Sequence, residues 1–412
     1  MTKVYTLKSG NTFTAPSLFA NPQSKYDVEA LWRCDSENAL QHIDGLLVNM
    51  TEYATVYGRL GFNTQSLVDS DRRTLRDKVK IVDPCYNELL SGTEEQKEKM
   101  LKTGFFSKQV GKIIDSISSA KISPLEKSQR IIKEIYDYLQ VKPAIEFQTR
   151  TNVDKIVSPC VPISSQTKFF SDQVAKARQM LMDSRILLES KFKSYLETRD
   201  LMNIVTIHKN VITERNFTSL YKLLVCNDPD QVGIRILGMQ ESDIPFIDLL
   251  FKFLREFNLF MKVRDKPISP VHLINIDELG YASYCSAICN IVSPIAALPY
   301  YRFLGKKHSS EEERDTSGKY YVPYDMLNVP MSTLDGLRCT CPECKRFKKA
   351  SKVPDDYKPI FRRKHWLYVK DDEIRQFREA KVRLDLALRD KFAYSKRTQL
   401  VSYIPESPIF TV

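Results

Sequence analysis

Apolar and polar positions along the chain sort into two kinds of segment. Short runs rich in Val, Ile and Leu recur at 17–20 (SLFA), 46–50 (LLVNM), 80–83 (KIVD), 154–158 (DKIVS), 203–208 (NIVTIH), 233–237 (GIRIL), 272–276 (HLINI) and 289–292 (CNIV). Runs of this length and type predict strands buried on both faces. Most segments between them have helical periodicity, clearest at 131–139 (IIKEIYDYL) and 246–257 (FIDLLFKFLREF). Eight strands alternating with helices predict an α/β fold with a parallel sheet. That sheet is either closed as a (β/α)8 TIM-type barrel or left open and doubly wound. A charged, helical insertion is expected at about 90–150, and a final amphipathic helix at about 372–391. The chain then divides into a barrel at 1–304 and a C-terminal metal-binding subdomain at 305–412, whose last helix completes the barrel.

Composition narrows the classes of function. The 412 residues carry 62 Lys+Arg against 51 Asp+Glu, a net charge of +11. An excess of this size favours a polyanionic partner. Apolar residues make up 42% of the chain, enough for a packed core. The 13 glycines amount to about 3% of the chain, against ~7% in an average protein. That scarcity argues against a P-loop or a glycine-rich dinucleotide fingerprint. Nine cysteines follow an N-terminus with no signal-type apolar segment. A reducing cytoplasm is therefore expected, and clustered cysteines read first as metal ligands. The uncharged stretch 281–301 includes two prolines and an asparagine. It reads as a buried strand flanked by turns, not as a membrane span.

The strongest local signal is Cys339-Thr-Cys341-Pro-Glu-Cys344. Three thiols within six residues can converge on one tetrahedral ion from a tight turn. His365 is the one histidine downstream; it is the candidate fourth ligand, or else a histidine that caps or packs. A closed Cys3His set suits zinc in a structural role, because no position is left for a substrate water. Lys345, Arg346, Lys348, Lys349, Arg362, Arg363 and Lys364 flank this motif, with Phe347, Trp366 and Tyr368 interleaved. The mixture fits phosphate contact plus base stacking on a nucleic acid, or an ordinary solvated helix face.

A Cys-x-Cys-x2-Cys with a distant His, at the end of a barrel-like chain, resembles the tRNA-guanine transglycosylase family, the enzymes of queuosine-type tRNA modification. Other segments follow in the family's order. Gly318-Lys319-Tyr320 and Thr333-Leu334-Asp335 precede the cysteines as the family's glycine, basic strand and Pro-Leu-Asp-like stretch do. Asp154 to Val157 with Cys160-Val161-Pro162, Ser123-Pro124-Leu125-Glu126-Lys127, Leu46 to Met50, Ile81-Val82-Asp83 and Phe13 to Phe19 resemble further family segments. The resemblance implies a (β/α)8 barrel with a zinc subdomain that helps dock RNA. It also implies a base exchange in which one aspartate attacks the anomeric carbon and a second moves the proton while 7-deazaguanine replaces guanine.

Set beside the family, the pocket is altered. Asp83 stands at the proton-shuttle position, although a strand-end Asp can equally cap the next helix. Asn49 matches a family pocket residue. Asn290, in Cys289-Asn290-Ile291-Val292, falls where the family has its nucleophilic Asp, and an amide cannot form the glycosyl ester a carboxylate would. Ser158 stands at the base-reading Asp. Thr206-Ile207-His208, Arg235-Ile236-Leu237-Gly238 and Asp83-Pro84-Cys85-Tyr86 occupy glycine-containing family motifs. These changes remove hydrogen-bond partners for guanine and fill space a flat base would need. Arg235 either holds a phosphate or carboxylate or pairs with a barrel acid. Two functions follow from the resemblance. One is a zinc-containing, non-catalytic member that binds tRNA or DNA and pairs with a catalytic subunit or a second copy of itself. The other is an active enzyme that exchanges or removes a different base.

Overall fold

The computed structural model describes residues 3–15, 17–22, 25–37, 39–50, 56–57, 62–63, 77–86, 108–122, 138–164, 169–238, 244–263, 271–274, 292–297, 319–323, 327–331, 334, 336–337 and 339–379, with isolated positions at 101, 126, 130 and 134–135. Strands β1 (Lys3–Thr6) and β2 (Thr12–Ala15) form an antiparallel hairpin. Then come β3 (Phe19–Asn21), β4 (Gly45–Asn49), the small hairpin β5 (Val56–Tyr57) and β6 (Phe62–Asn63), β7 (Val79–Asp83) and β8 (Lys155–Ser158). Strands β9 (Asp200–His208), β10 (Gln231–Leu237), β11 (Val271–Ile274) and β12 (Val292–Ala297) follow. A last hairpin joins β13 (Lys319–Val322) to β14 (Leu327–Pro330).

The eight expected strands correspond to β3, β4, β7, β8, β9, β10, β11 and β12. They pair in parallel in the order β10-β11-β12-β3-β4-β7-β8-β9, and β9 pairs back on to β10. The parallel sheet therefore curls round in the manner of a barrel, as the alternating strands and helices led one to expect. One boundary moves. The last strand was expected to end at Val292 and instead begins there. Ser293 and Pro294 look like a turn, yet Pro294 stands opposite Leu273 in the ladder. A proline lacks only the N–H, so it is tolerated where that donor is not needed.

The helices are α1 (Lys25–Ser36) after β3, α2 (Lys108–Ser119) and α3 (Lys142–Gln148) between β7 and β8, and α4 (Phe169–Lys191) and α5 (Lys193–Thr198) after β8. Next are α6 (Phe217–Leu224) after β9, α7 (Ile244–Lys262) after β10, the short α8 (Pro342–Phe347) and α9 (Lys358–Glu379). Helix α9 begins at Lys358, well before the expected Asp372. Pro359 lies in its first turn, where a missing N–H costs nothing. The 131–139 segment and the expected helix beyond 379 lie largely outside the described residues. Among the described residues no helix is long and apolar enough to cross a membrane.

Strand alternation sets what faces inward. Phe19, Leu47, Val79, Ile81, Val157, Met202, Ile204 and Ile274 fill the space inside the sheet, joined by Leu7 and Phe13 from the β1–β2 hairpin. Gly45 is required by this packing. A Cβ there would lie 2.3 Å from the Val79 carbonyl oxygen and 2.5 Å from the Phe19 ring. Residues of opposite parity, such as Val48, Val82, Val205 and Ile234, pack outward against the helices. Helix α9 lies along α1 and also against α8 and β13. Its stretch from Ile360 to Leu367 is buried throughout, which decides how the charged residues there are used.

Candidate functional site

The first candidate centre is the cysteine turn. Cys341 caps the N-terminus of α8, and its sulfur accepts a hydrogen bond from the Cys344 N–H at 3.5 Å. The Cys339 sulfur accepts from the Cys341 N–H at 3.4 Å. Helix α9 supplies His365, whose Nδ1 lies 3.3 Å from the sulfurs of both Cys341 and Cys344. One ligand atom each from Cys339, Cys341, Cys344 and His365 lies within 4.8 Å of all the others. The expected four ligands therefore converge, and the cluster could hold a metal ion.

The surroundings fit a cation. His365 Nε2 lies 2.7 Å from the Tyr321 carbonyl oxygen. A proton on Nε2 donated to that carbonyl leaves the Nδ1 lone pair facing the sulfurs, the usual way a ligating histidine is oriented. The Tyr320 ring stacks on the imidazole with centroids 4.2 Å apart, and its hydroxyl is 3.1 Å from the Cys344 sulfur. Without a cation the three thiols share protons unequally. Hydrogen bonds from Cys341 and Cys344 pull the Cys339 pKa far down. The Cys339 hydrogen bond pushes Cys341 up to about 12, and those of Cys339 and Cys341 push Cys344 higher still. A divalent ion would remove this competition by binding all three sulfurs as thiolates. Tyr320 and Tyr321 carry no sequence signal beyond standing in a short strand upstream; only the fold brings them to His365.

The basic residues around the cluster divide into two groups. Lys345, Arg346, Lys348 and Lys349 are exposed, and so is Lys352. The Arg346 guanidinium sits 5.0 Å from the Phe347 ring centroid and 5.8 Å from that of Tyr357. Arg362, Arg363 and Lys364 were expected on the same surface but are 2–3% exposed. Arg363 pairs with Asp27 of α1, each side chain 2% exposed. Lys364 bridges Glu343 at 2.7 Å and Glu37 at 2.6 Å. Trp366 is buried as well. The reason is geometric: α9 is wedged between α1 and the cysteine turn, so a charge run on it cannot form a solvated face. Arg363 and Lys364 thus tie the helix that carries His365 to α1 and the cysteine turn, while Arg362 Nε bonds the Lys358 carbonyl within α9.

The second candidate centre is the C-terminal mouth of the curled sheet. Asn49 and Asp83 are neighbours in register, as are Thr206 and Arg235. All four are buried. Arg235 Nη2 lies 2.5 Å from Asp83 Oδ2, with both side chains 5% exposed. The other Asp83 oxygen accepts the Cys85 N–H at 2.9 Å. Both carboxylate oxygens are therefore engaged, and the two readings of Arg235 resolve in favour of pairing with a barrel acid. His208 is half-buried at the end of β9. Burial, and then the charge of Lys209, hold its pKa below the usual histidine value. Its ring packs on Gly238, where φ is +73° and a Cβ would lie 2.6 Å from His208 Nε2.

Ser158 does not join this group. Its Oγ lies 3.4 Å from Asn227 Nδ2, which also donates to the Leu181 carbonyl of α4. Alternation along β8 turns Val157 inward and Ser158 toward the helix layer. Asn21, at the end of β3, was missed. It shares the parity of the inward-facing Phe19, is 1% exposed, and among the described residues has a hydrogen-bond partner for neither amide atom. A single Asn after an apolar run gives no sequence cue. Asn290 lies outside the described residues.

Comparison with known proteins yields no matching family model and no matching curated protein.

Proposed function

We propose that the chain is a zinc-containing (β/α)8 protein of the tRNA-guanine transglycosylase type that binds nucleic acid without exchanging guanine, acting as the non-catalytic partner of an active subunit. The reading rests chiefly on the Asp83–Arg235 pair. A carboxylate with one oxygen on a buried guanidinium and the other on a backbone N–H already has both oxygens engaged inside the protein, so an incoming base must compete with two existing partners. With Asn290 at the nucleophile position, both acids of the exchange are disarmed. The backbone at Cys85 supports the alignment. It adopts φ 54°, the left-handed region that glycine favours, at a position where the resembled family writes glycine. Cys339, Cys341, Cys344 and His365 would hold the zinc, which would tie the cysteine turn to α9 and leave no open coordination position.

Nucleic acid would be gripped by Lys345, Arg346, Lys348 and Lys349, which extend from α8 into solvent beside Phe347. Replacing these four by Glu is expected to leave the melting temperature unchanged. The log–log salt slope of tRNA or DNA binding should become shallower by about 3–4, since each lost phosphate contact removes ~0.9. Fluorescence anisotropy at several salt concentrations measures this, and an unchanged slope would put the contact surface elsewhere. The non-catalytic reading is tested by incubating the protein with labelled guanine and tRNA or DNA, as the natural chain and as Asn290→Asp. No incorporation is expected from the natural chain; incorporation would establish the active alternative.

A further inference from the structure

The end of the sheet opposite Asp83 is closed by the β1–β2 hairpin. Its Leu7 and Phe13 enter the space inside the sheet. Its polar groups land on aspartates that precede or open the strands. The Lys8 N–H donates to Asp200 Oδ1 at 3.1 Å, and its ammonium reaches Asp230 at 2.6 Å. Asn11 Nδ2 donates to Asp154 at 2.9 Å, and the Thr14 N–H to Asp44 at 3.0 Å.

Beneath this hairpin lies Lys155, with no exposed surface. Its Nζ is 2.5 Å from Gln231 Oε1 and 3.2 Å from His272 Nε2. It lies 4.6 Å from the Phe13 ring centroid and 5.1 Å from that of Phe19. Gln231 in turn donates to Asp200 Oδ2 at 2.8 Å. Asp200 is thus shared: one oxygen holds the hairpin, and the other holds the amide that holds the lysine. The charged groups around Lys155 are Asp200 on β9, Asp154 beside it, and Asp44 ahead of β4. None is in direct ion-pair contact with the amine, and His272 is kept neutral by burial and by the lysine itself. Burial therefore pulls the Lys155 pKa from 10.5 down to about 7.

We propose that the β1–β2 hairpin is a pH-sensitive plug, seated most firmly when the Lys155 amine beneath it is neutral and loosened when that amine carries a proton. An ammonium with no adjacent carboxylate is costly in a dry interior. Lifting the hairpin, with Phe13, lets water reach it. The sign follows from proton linkage. Between about 7 and about 10.5 the open form binds the proton and the closed form does not, so closure strengthens as pH rises across that window and levels off below it.

The test is hydrogen–deuterium exchange of the intact chain at pH 7, 8 and 9, corrected for intrinsic rates, with β4 as internal reference. Protection of residues 3–15 should rise about tenfold per pH unit relative to β4, the one-proton slope. In Lys155→Met the hairpin should stay protected without a pH slope. A flat profile in the natural chain, or a slope that survives Lys155→Met, overturns the proposal. Asn11→Ala provides a second arm that leaves the buried lysine in place. It should loosen the hairpin at every pH with the slope intact. A slope abolished by Asn11→Ala would place the titrating group in the Asn11–Asp154 latch instead of at Lys155.

Discussion

If the cysteine turn holds zinc as proposed, stripping it is expected to unfold the segment around the turn and weaken the whole protein. Elemental analysis of freshly purified chain should give one zinc per molecule. Structural zinc in small domains contributes on the order of 10 kcal/mol of folding free energy. Here part of that stays local, because Tyr320, Val322, Met331, Cys344, Val353 and Phe361 keep a small apolar core of their own. The rest is transmitted through α9. His365 sits between Lys364, bound to Glu343 and Glu37, and buried residues that pack on α1. Further along, Lys370 pairs with Glu373 at 3.0 Å and donates to the Tyr321 hydroxyl, while Asp371 accepts the His42 and Ile43 N–H groups. Losing the ion frees one end of this strut. A chelator should therefore lower the melting temperature by about 10 °C or more, the equivalent of several kcal/mol in a chain of this size. Cys341→Ser should do the same. Cys226→Ser, at a half-buried thiol outside the cluster, should not. Substoichiometric zinc, or melting indifferent to chelation, would remove the metal from the account.

Arg363→Ala is expected to destabilise the protein by about 3–5 kcal/mol, the range for deleting one partner of a buried ion pair. The guanidinium does three things at once. It binds Asp27, donates to the Pro359 carbonyl at 2.7 Å, and lies 5.4 Å from the Tyr26 ring centroid. Its removal leaves the Asp27 carboxylate in a site 2% exposed. Asp27→Ala should cost a similar amount, and the double variant should cost clearly less than the sum, because the stranded charge is gone. Lys349→Ala, at an exposed position, should change stability by less than about 0.5 kcal/mol. Urea denaturation of the four proteins measures the coupling directly. A near-neutral Arg363→Ala would show that this arginine is not seated against Asp27.

These contrasts show what the amino-acid sequence could and could not reveal. Strands such as β4 and β7 were legible because both their faces are buried, which leaves unbroken apolar runs around Leu47 and Ile81. The same property hid which way Ser158 faces. With no polar side to the sheet, nothing in Lys155-Ile-Val-Ser sets the parity, and a shift of one residue exchanges inside for outside. The convergence of Cys339, Cys341, Cys344 and His365 was legible because the candidate ligands are compressed into six residues and one histidine. The buried cations were not, because Arg363 and Lys364 look like any solvated run until Asp27, Glu37 and Glu343 arrive from distant elements. The Asp83–Arg235 contact likewise spans 152 positions, and spacing alone left both readings of Arg235 open.

The wedge of α9 against α1 also has a temporal side. Asp27 and Arg363 are 336 positions apart. Closing a loop of that length costs about 5 kcal/mol of chain entropy before any contact repays it. During synthesis α1 leaves the ribosome early, whereas Arg363 follows Asp27 only 336 residues later. The strands between them can assemble meanwhile, but the face of α1 that α9 covers stays wet. A metal held by Cys339, Cys341, Cys344 and His365 would be captured only at that final stage, when the last described helix closes over the first, because His365 is carried by that helix.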